Sequence, residues 1–217
     1  MSAIHARGLE IGAILVDSKP ESERDKAIHE DRTGGKLPWR PLHTFAEHRI
    51  PIYFIESHNS PYTEEIVHNL GIDLLVNAGT PRILRAEILA APSVGVLNCH
   101  PGMLPAFRGC SAVEWAILED QPVGNSVHFM AEGIDEGPVV WSEVVTFSRF
   151  EGYQEIRVKT YRAGFDLMSK SILAIQNGEA AVKQQDINEG KYYPPISDAD
   201  LETVKTKVAN GAFRFQI

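Results

Sequence analysis

Three polar side chains in the segment 97–138 are of the types that acyl transfer to an amine requires. Asn98 and His100 lie two residues apart near its start, and Asp135 lies near its end. An amide can donate a hydrogen bond to a developing oxyanion. An imidazole can donate a proton or polarise a carbonyl, and a carboxylate can orient the imidazole or handle the proton of the amine. These residues therefore point to formyl or acyl transfer.

The local pattern indicates how Asn98 and His100 are positioned. Residues 94–99 form a short, apolar, β-branched run between two prolines, which predicts a buried strand. In open α/β sheets, ligands bind beyond the carboxyl ends of strands. Side chains two residues apart on a strand point to the same side. We therefore expect Asn98 and His100 to face one ligand site.

Strand and helix patterns alternate along much of the chain, which predicts a parallel sheet. We expect further strands within 9–18, 50–57, 72–79, 123–133 and 139–147, and a short strand at 181–186. We expect helices at 41–50, at 60–71 from Ser60, at 80–91 with Thr80 as N-cap, at 111–120 with Ser111 and Glu114 as a capping box, at 153–178, and after Ser197 or Asp198. The charged stretch 19–40 is expected to be a surface excursion.

The segment 97–138 resembles the formyltransferases that use 10-formyltetrahydrofolate, among them the glycinamide ribonucleotide, methionyl-tRNA and sugar N-formyltransferases. The family pattern is Asn-x-His-Pro, then Leu-Pro, a glycine, a helix, a strand bearing His, and Asp-x-Gly. It matches this chain at Asn98, His100, Pro101, Leu104, Pro105, Gly109, His128, Asp135 and Gly137. A weaker resemblance extends over residues 9–147.

The resemblance implies an α/β, Rossmann-like fold with a mostly parallel sheet flanked by helices and a short C-terminal helical extension. We expect the formyltransferase domain to span 1–150 and the extension 151–217 to pack on the same domain. Family members have a strand, a glycine-bearing turn and a helix before the strand that resembles 9–18. Only residues 1–8 precede it here, so we expect that first strand to be absent.

The resemblance also implies the site. Asn98, His100 and Asp135 would form the catalytic trio, with Asp135 keeping His100 charged. The formyl donor would be 10-formyltetrahydrofolate. Its pterin would pack near Arg82, Ile83 and Leu84 and near Gly133, Ile134 and Asp135, while Arg108 and Gly109 would bind substrate. His128 could either pack in the core or support the site. Arg108 could either be a solvated loop residue or contact an anion.

Composition helps to select the acceptor. The chain has 217 residues, a net charge of −8 and no basic run, so a small-molecule amine is favoured over nucleic acid. No run of eighteen apolar residues or signal-peptide core occurs, which argues against a membrane partner. With only Cys99 and Cys110 present, we expect a cytoplasmic protein without a disulfide framework.

Several alternatives stay open. Among acceptors we favour a nucleotide-linked amino sugar, with glycinamide ribonucleotide and methionyl-tRNA as alternatives. A hydrolase that releases formate and a non-catalytic folate-binding scaffold are further readings. Cys99, His100 and Cys110 could be read as metal ligands, but no CxxC or HxxxH spacing supports this and we predict no metal. The tail could simply pack on the domain, or serve homodimerisation or acceptor binding through Tyr192 and Tyr193.

Overall fold

The described part of the chain forms strands and helices in alternation. The computed structural model describes residues 4, 6–19, 22–38, 49–80 and 82–217. In chain order its elements are β1 (Ile14–Asp17), α1 (Glu23–Thr33), β2 (Ile52–Ile55), α2 (Pro61–Asn69), β3 (Leu74–Val76), α3 (Ala86–Ala90), β4 (Gly95–His100), β5 (Phe107–Gly109), α4 (Ala112–Leu118), β6 (Gly124–Phe129), β7 (Val139–Val144), α5 (Tyr153–Gln176), a 3-10 helix (Ile187–Glu189), β8 (Lys191–Tyr193) and α6 (Asp198–Ala209). The predicted α/β class is confirmed.

The strands pair in three groups. The main sheet has the order β3-β4-β6-β7, in which β3 runs parallel to β4 while β6 is antiparallel to both of its neighbours. Strands β1 and β2 form a parallel pair, and β5 and β8 form another. The β5–β8 pair joins the segment between β4 and α4 to the C-terminal part of the chain, so residues beyond 150 contribute directly to the loop that follows β4.

Helix α5 packs against one face of the main sheet and contacts β4 there. Leu167 and Met168 of the helix pack with Leu97 and Val127 of the strands. The helix approaches closely at Gly164, where an added Cβ would lie 3.1 Å from both the Cys99 Sγ and the Asn125 Oδ1 atoms. A larger residue would push the helix away from β4, and the end of β4 carries the candidate site.

Two helix starts were predicted from capping residues and are confirmed. Ser60 precedes Pro61 at the start of α2, and its side chain accepts a hydrogen bond from the Thr63 N–H. Ser197 caps α6 in the same way, accepting from the Asp200 N–H. The long helix expected at 153–178 is also present as α5.

The expectation that residues 19–40 form only a surface excursion is wrong, because they include helix α1. Ser22 caps its start by accepting from the Asp25 N–H, and Gly34 ends it in the left-handed conformation. Thr33 is fully buried, and the Gln154 side chain of α5 donates to the Asp31 carbonyl. The segment is too polar for an apolar stripe to reveal it. The helix expected at 41–50 has residues 41–48 outside the described part.

Three local predictions require correction. The helix expected to start at Thr80 begins instead at Ala86, because the Thr80 N–H binds the Asn77 side chain within a loop. Ser111 precedes α4, but its hydroxyl accepts from Arg32 and from the Ile196 N–H rather than capping the helix. The strand expected at 181–186 is reduced to a single bridge between Lys183 and Val139.

Glu114, expected to belong to a capping box, instead lies at the centre of a buried ionic cluster. Its Oε1 atom accepts from the Tyr153 hydroxyl at 2.6 Å and lies 3.3 Å from the Arg32 Nε atom. Its Oε2 atom lies 3.6 Å from the Arg157 Nη1 atom. Burial raises the pKa of Glu114, but the Arg157 and Arg32 guanidinium groups outweigh it and hold the pKa below its usual value. The cluster ties α4 to α1 and α5.

We predict that Glu114→Ala lowers the free energy of unfolding by about 3–5 kcal/mol, because it leaves the buried Arg157 guanidinium without its counter-charge. Urea denaturation of the parent and the variant measures this loss. Glu23→Ala is the control, because Glu23 pairs with Lys26 on the surface, and it should change stability far less. A Glu114→Ala protein as stable as the control would show that the cluster contributes no net stability.

Candidate active site

Two neighbouring strands and one turn position the predicted trio. Asn98 and His100 lie at the end of β4, and the antiparallel register places Asn98 opposite His128 of β6. Asp135 lies in the β6–β7 turn with a positive φ of 57°. A Cβ on Gly137 would collide with the Phe129 carbonyl oxygen, so only glycine lets this turn fold back onto β6. The turn therefore brings Asp135 over the end of β4.

The structure brings the three predicted side chains together. The His100 Nδ1 atom lies 3.3 Å from the Asp135 Oδ2 atom. The Asn98 Nδ2 atom lies 3.2 Å from the His128 Nε2 atom, which in turn lies 3.5 Å from the Asp135 Oδ1 atom. His128 is buried and links Asn98 to Asp135. Of the two interpretations considered for His128, its contacts favour support of the site.

The orientation of the Asn98 amide is fixed by a chain of hydrogen bonds from the β3–α3 loop. The N–H groups of Gly79 and Thr80 both donate to the Asn77 Oδ1 atom, at 3.1 and 2.9 Å. The Asn77 Nδ2 group must then face Asn98, and it donates to the Asn98 Oδ1 atom at 3.0 Å. The Asn98 Nδ2 group therefore points towards His128, and its second N–H is available for another acceptor.

His100 is held between two oxygen atoms. Its Nε2 atom lies 2.6 Å from the Phe107 carbonyl oxygen, and its Nδ1 atom faces Asp135. Burial lowers the pKa of His100, while the Asp135 carboxylate and the Phe107 carbonyl counteract part of this effect. A neutral imidazole has one N–H and can donate to only one of these oxygens. The charged ring satisfies both, so the geometry opposes the effect of burial.

The Asp135 carboxylate is stabilised in its ionised form. Burial raises the pKa of Asp135, but His128, His100 and the Gly109 N–H outweigh it and lower the pKa overall. The Gly109 N–H donates to the Asp135 Oδ2 atom at 2.9 Å. Gly109 has a φ of 92° and lies against the Tyr193 carbonyl, where no side chain fits. Gly109 thus contributes its backbone to the site.

The C-terminal segment forms one wall of the site, which the sequence did not reveal. The Gln185 Nε2 group donates to the carbonyl oxygens of Asp135 and Gly137, at 2.9 and 2.5 Å. Strand β8 then pairs with β5, the strand that carries Gly109. Gln185 belongs to no motif and follows a helix by many residues, so no local signal could have identified it. Asn77, by contrast, ends a strand just as Asn98 does.

Arg108 was expected to be either solvated or in contact with an anion. It is buried, its Nη1 group donates to the Glu136 Oε1 atom at 2.5 Å, and its Nη2 group donates to the Ile187 carbonyl. The anion that it contacts is therefore a carboxylate of the same protein. Arg108 fastens the Asp135 turn to the C-terminal segment, which makes it a support for the site in this structure.

The residues expected to hold the pterin lie on two loops, one between β3 and α3 and one between β6 and β7 that also carries Asp135. The Arg82 guanidinium binds both oxygens of Asp17, at 2.6 and 3.0 Å. Burial raises the pKa of Asp17, but Arg82 and the backbone N–H groups of Lys19 and His58 outweigh it and lower the pKa. Ile83 is 74% exposed and Ile134 is 48% exposed, whereas Leu84 is buried in the core. Exposed apolar side chains beside a polar cluster are what a flat, partly apolar ligand needs.

In the part of the chain that the structure describes, no group of three or more His, Cys, Asp or Glu side chains is arranged to hold an ion. Burial raises the pKa of Cys99 to about 12, so this thiol is protonated at neutral pH and is a poor ligand. Among the helices that the structure describes, none combines the length and the apolar character needed to cross a membrane.

We predict that Asn77→Ala lowers kcat about tenfold, because the Asn98 amide loses the hydrogen bond that orients it. This loss is smaller than the reduction of about 10²–10³-fold that follows removal of a whole oxyanion donor, because Asn98 itself is retained. Steady-state rates of the parent and the variant measure this loss. Asn69→Ala changes an exposed asparagine on α2 and should leave kcat unchanged. An Asn77→Ala protein with parental kcat would show that Asn98 needs no such support.

Comparison with known proteins identifies the family. A model of the formyl transferase family matches residues 24–172. The methionyl-tRNA formyltransferase of Thermotoga neapolitana is 28% identical over 208 residues, covering 91% of this chain and 63% of that protein. That of Phenylobacterium zucineum is 33% identical over 154 residues, covering 70% of this chain and 50% of that protein. The chain thus spans about half to two thirds of the length of these relatives.

Solved structures share the fold. Phosphoribosylglycinamide formyltransferase from Bacillus halodurans superimposes with a TM-score of 0.61 at 22% identity, over 80% of this chain and 88% of that one. A formyltransferase from Anoxybacillus kamchatkensis, in complex with UDP-4,6-dideoxy-4-formamido-L-AltNAc and tetrahydrofolate, gives 0.57 at 18%, over 83% and 84%. The fold is therefore the Rossmann-like fold of these enzymes. Together with the match over residues 24–172, this shows that the chain belongs to the formyl transferase family.

Proposed function

We propose that this protein is an N-formyltransferase that transfers a formyl group from 10-formyltetrahydrofolate to the amine of a small acceptor. One observation carries the proposal: Asn98, His100 and Asp135 meet at the end of β4, and the Asn98 amide is oriented so that one N–H is available to a ligand. Membership of the formyl transferase family supports the reaction class.

The exposed side chains beside the trio fit the proposed donor. Ile83 and Ile134 offer apolar surface to the pterin, and Arg82, Leu84 and Gly133 complete the two loops that would hold it. When bound, 10-formyltetrahydrofolate supplies a formyl carbonyl whose carbon an amine can attack. The residues of this chain then have to hold the reactants, stabilise charge on the formyl oxygen and receive a proton from the amine.

Each member of the trio has a role that matches its contacts. The available N–H of Asn98 would donate to the formyl oxygen as negative charge develops on it. His100 is held between the oxygens of Asp135 and Phe107, which favour the charged ring against the effect of burial, and in its protonated form it would supply positive charge next to the same point. The lowered pKa of Asp135 keeps its carboxylate ionised, so it can receive the proton that the amine loses, directly or through water. The bond between the formyl carbon and the folate nitrogen would then break, and that nitrogen would take up the proton as tetrahydrofolate leaves.

For the acceptor we favour a nucleotide-linked amino sugar. The chain carries a net charge of −8, and Arg108, the residue before Gly109, already binds Glu136. Neither feature favours a polyanion such as tRNA. Methionyl-tRNA is the second candidate, because the curated relatives carry that name. Glycinamide ribonucleotide, hydrolysis of the donor by water and folate binding without catalysis are distinguished by the assays below.

We predict that 5-formyltetrahydrofolate, a stable analogue of the donor, stabilises the folded protein. A ligand that binds only the native state adds about 2.7 kcal/mol at a hundredfold excess over its dissociation constant. Thermal unfolding with increasing ligand measures this, with guanosine at the same concentrations as a control for flat, partly apolar molecules. No shift at millimolar ligand, with the protein shown to be folded, would overturn the assignment of the donor.

Turnover then distinguishes the acceptors. Release of tetrahydrofolate from 10-formyltetrahydrofolate should require a UDP- or dTDP-linked amino sugar, with the formamide detected by mass spectrometry. Release without any amine, accompanied by formate, would identify a hydrolase. Release that requires methionyl-tRNA or glycinamide ribonucleotide would replace the sugar by that acceptor. Binding of the donor without turnover in any of these assays would indicate that the protein is a non-catalytic folate-binding scaffold.

We predict that Asp135→Asn lowers kcat by about a hundredfold or more, because it keeps the shape of the side chain but removes the group that receives the proton. Folate affinity and melting temperature should change little. Glu132→Gln is the matched control, since it removes a carboxylate from the same turn at an exposed position. Turnover of Asp135→Asn within a few-fold of the parent would remove Asp135 from the chemistry and leave Asn98 and His100 as oxyanion donors alone.

A further inference from the structure

Strand β8 presents one tyrosine to the interior and the next to solvent, as alternating residues of a strand do. Tyr193 is 4% exposed and stacks on Phe107, with ring centres 5.1 Å apart and planes inclined by 18°. Phe107 is the residue whose carbonyl faces His100. Packing inside the protein therefore explains why an aromatic residue is present at position 193. It does not account for Tyr192, which is 51% exposed.

The Tyr192 ring lies beside the catalytic carboxylate. Tyr192 is opposite Arg108 in the β5–β8 register. A Cβ added to Gly109 would lie 2.7 Å from the Tyr192 Cε2 atom, so the ring covers the backbone of Gly109. The N–H of the same glycine donates to Asp135. The Cys110 thiol and, more weakly, the Asp135 carboxylate raise the pKa of Tyr192, as expected for a phenol near both groups.

We propose that Tyr192 forms the wall of the acceptor subsite, and that the ring bearing the acceptor amine packs flat against it. This inference rests on the proposed N-formyltransferase function and deepens it. An amine that gives its proton to Asp135 must lie next to that carboxylate, and Tyr192 is the aromatic side chain that covers the adjacent peptide. The C–H face of a sugar ring packs well on an exposed aromatic ring, and the phenolic hydroxyl can bind polar groups at its edge.

The donor and the acceptor would thus contact different parts of the chain. Ile83 and Ile134, proposed for the pterin, lie on the loops after β3 and β6. Tyr192 lies on β8 and is held there by pairing with β5 and by the hydrogen bond from the Cys110 N–H to the Tyr193 carbonyl, at 2.9 Å. A change at Tyr192 should therefore affect the acceptor without affecting the folate.

We predict that Tyr192→Ala raises the KM for a UDP-linked 4-amino-4,6-dideoxy sugar at least tenfold, while the KM for 10-formyltetrahydrofolate stays within about twofold of the parent value. Tyr192→Phe keeps the ring and should keep the acceptor KM within about threefold. Phe150→Ala is the control, because it removes a 98% exposed aromatic ring from the β7–α5 connection. Melting temperatures establish that each variant is folded.

Alkylation of Cys110 gives a second measurement on the parent protein. Cys110 is exposed next to Tyr192, whereas burial raises the pKa of Cys99 to about 12 and protects it. The UDP-linked amino sugar should slow the reaction of Cys110 with iodoacetamide at least fivefold, and 5-formyltetrahydrofolate should not.

Unchanged acceptor KM in Tyr192→Ala, or no protection of Cys110 by a sugar that the parent formylates, would overturn the subsite alone. If Tyr192→Ala fails to fold, protection of Cys110 from iodoacetamide in the parent protein decides whether the subsite is retained. Absence of formyl transfer by the parent to any amine would overturn the proposed function, and the subsite with it. Turnover with methionyl-tRNA in place of the sugar would retain the reaction and overturn the sugar-ring subsite.

Discussion

The hydrogen bond from the Gly109 N–H to the Asp135 carboxylate joins the two loops on which the site is built. One loop follows β4 and carries Phe107, whose carbonyl faces His100; the other connects β6 to β7 and carries Asp135. Without this bond, Asp135 would lose its backbone donor, and the two loops would be joined more weakly, through the ion pair between Arg108 and Glu136. Each loop also contains a glycine that has no room for a side chain, because Gly109 lies against the Tyr193 carbonyl and Gly137 lies against the Phe129 carbonyl.

The surrounding structure holds these two loops from opposite directions. Helix α5 supports β4 through the close approach at Gly164, and the ionic cluster around Glu114 ties α4 to α1 and α5. From the other direction, the C-terminal segment binds the Asp135 turn through Gln185 and the β5 loop through β8. A catalytic geometry that must be held to a fraction of an ångström benefits from such support on both sides.

The sequence was most informative where a residue type is imposed by local geometry. The glycines and prolines between Asn98 and Asp135 restrict the backbone, and Ser60 and Ser197 cap helices, so these features could be predicted. Glu114 shows what local spacing cannot predict. Its spacing from Ser111 matches a capping box, but in the structure its carboxylate lies next to the buried Arg157 guanidinium instead of capping the helix. Gln185 could not be found at all, because its partners, the carbonyls of Asp135 and Gly137, are distant in sequence.

The loop between β3 and α3 links the expected donor site to the Asn98 amide. Its Gly79 and Thr80 amides set the orientation of Asn77 and through it of Asn98, and Ile83 follows only three residues after Thr80. A ligand resting on Ile83 and a charge forming near Asn98 therefore depend on the same short piece of backbone. A donor that shifted this backbone would therefore also change the direction in which the Asn98 N–H points.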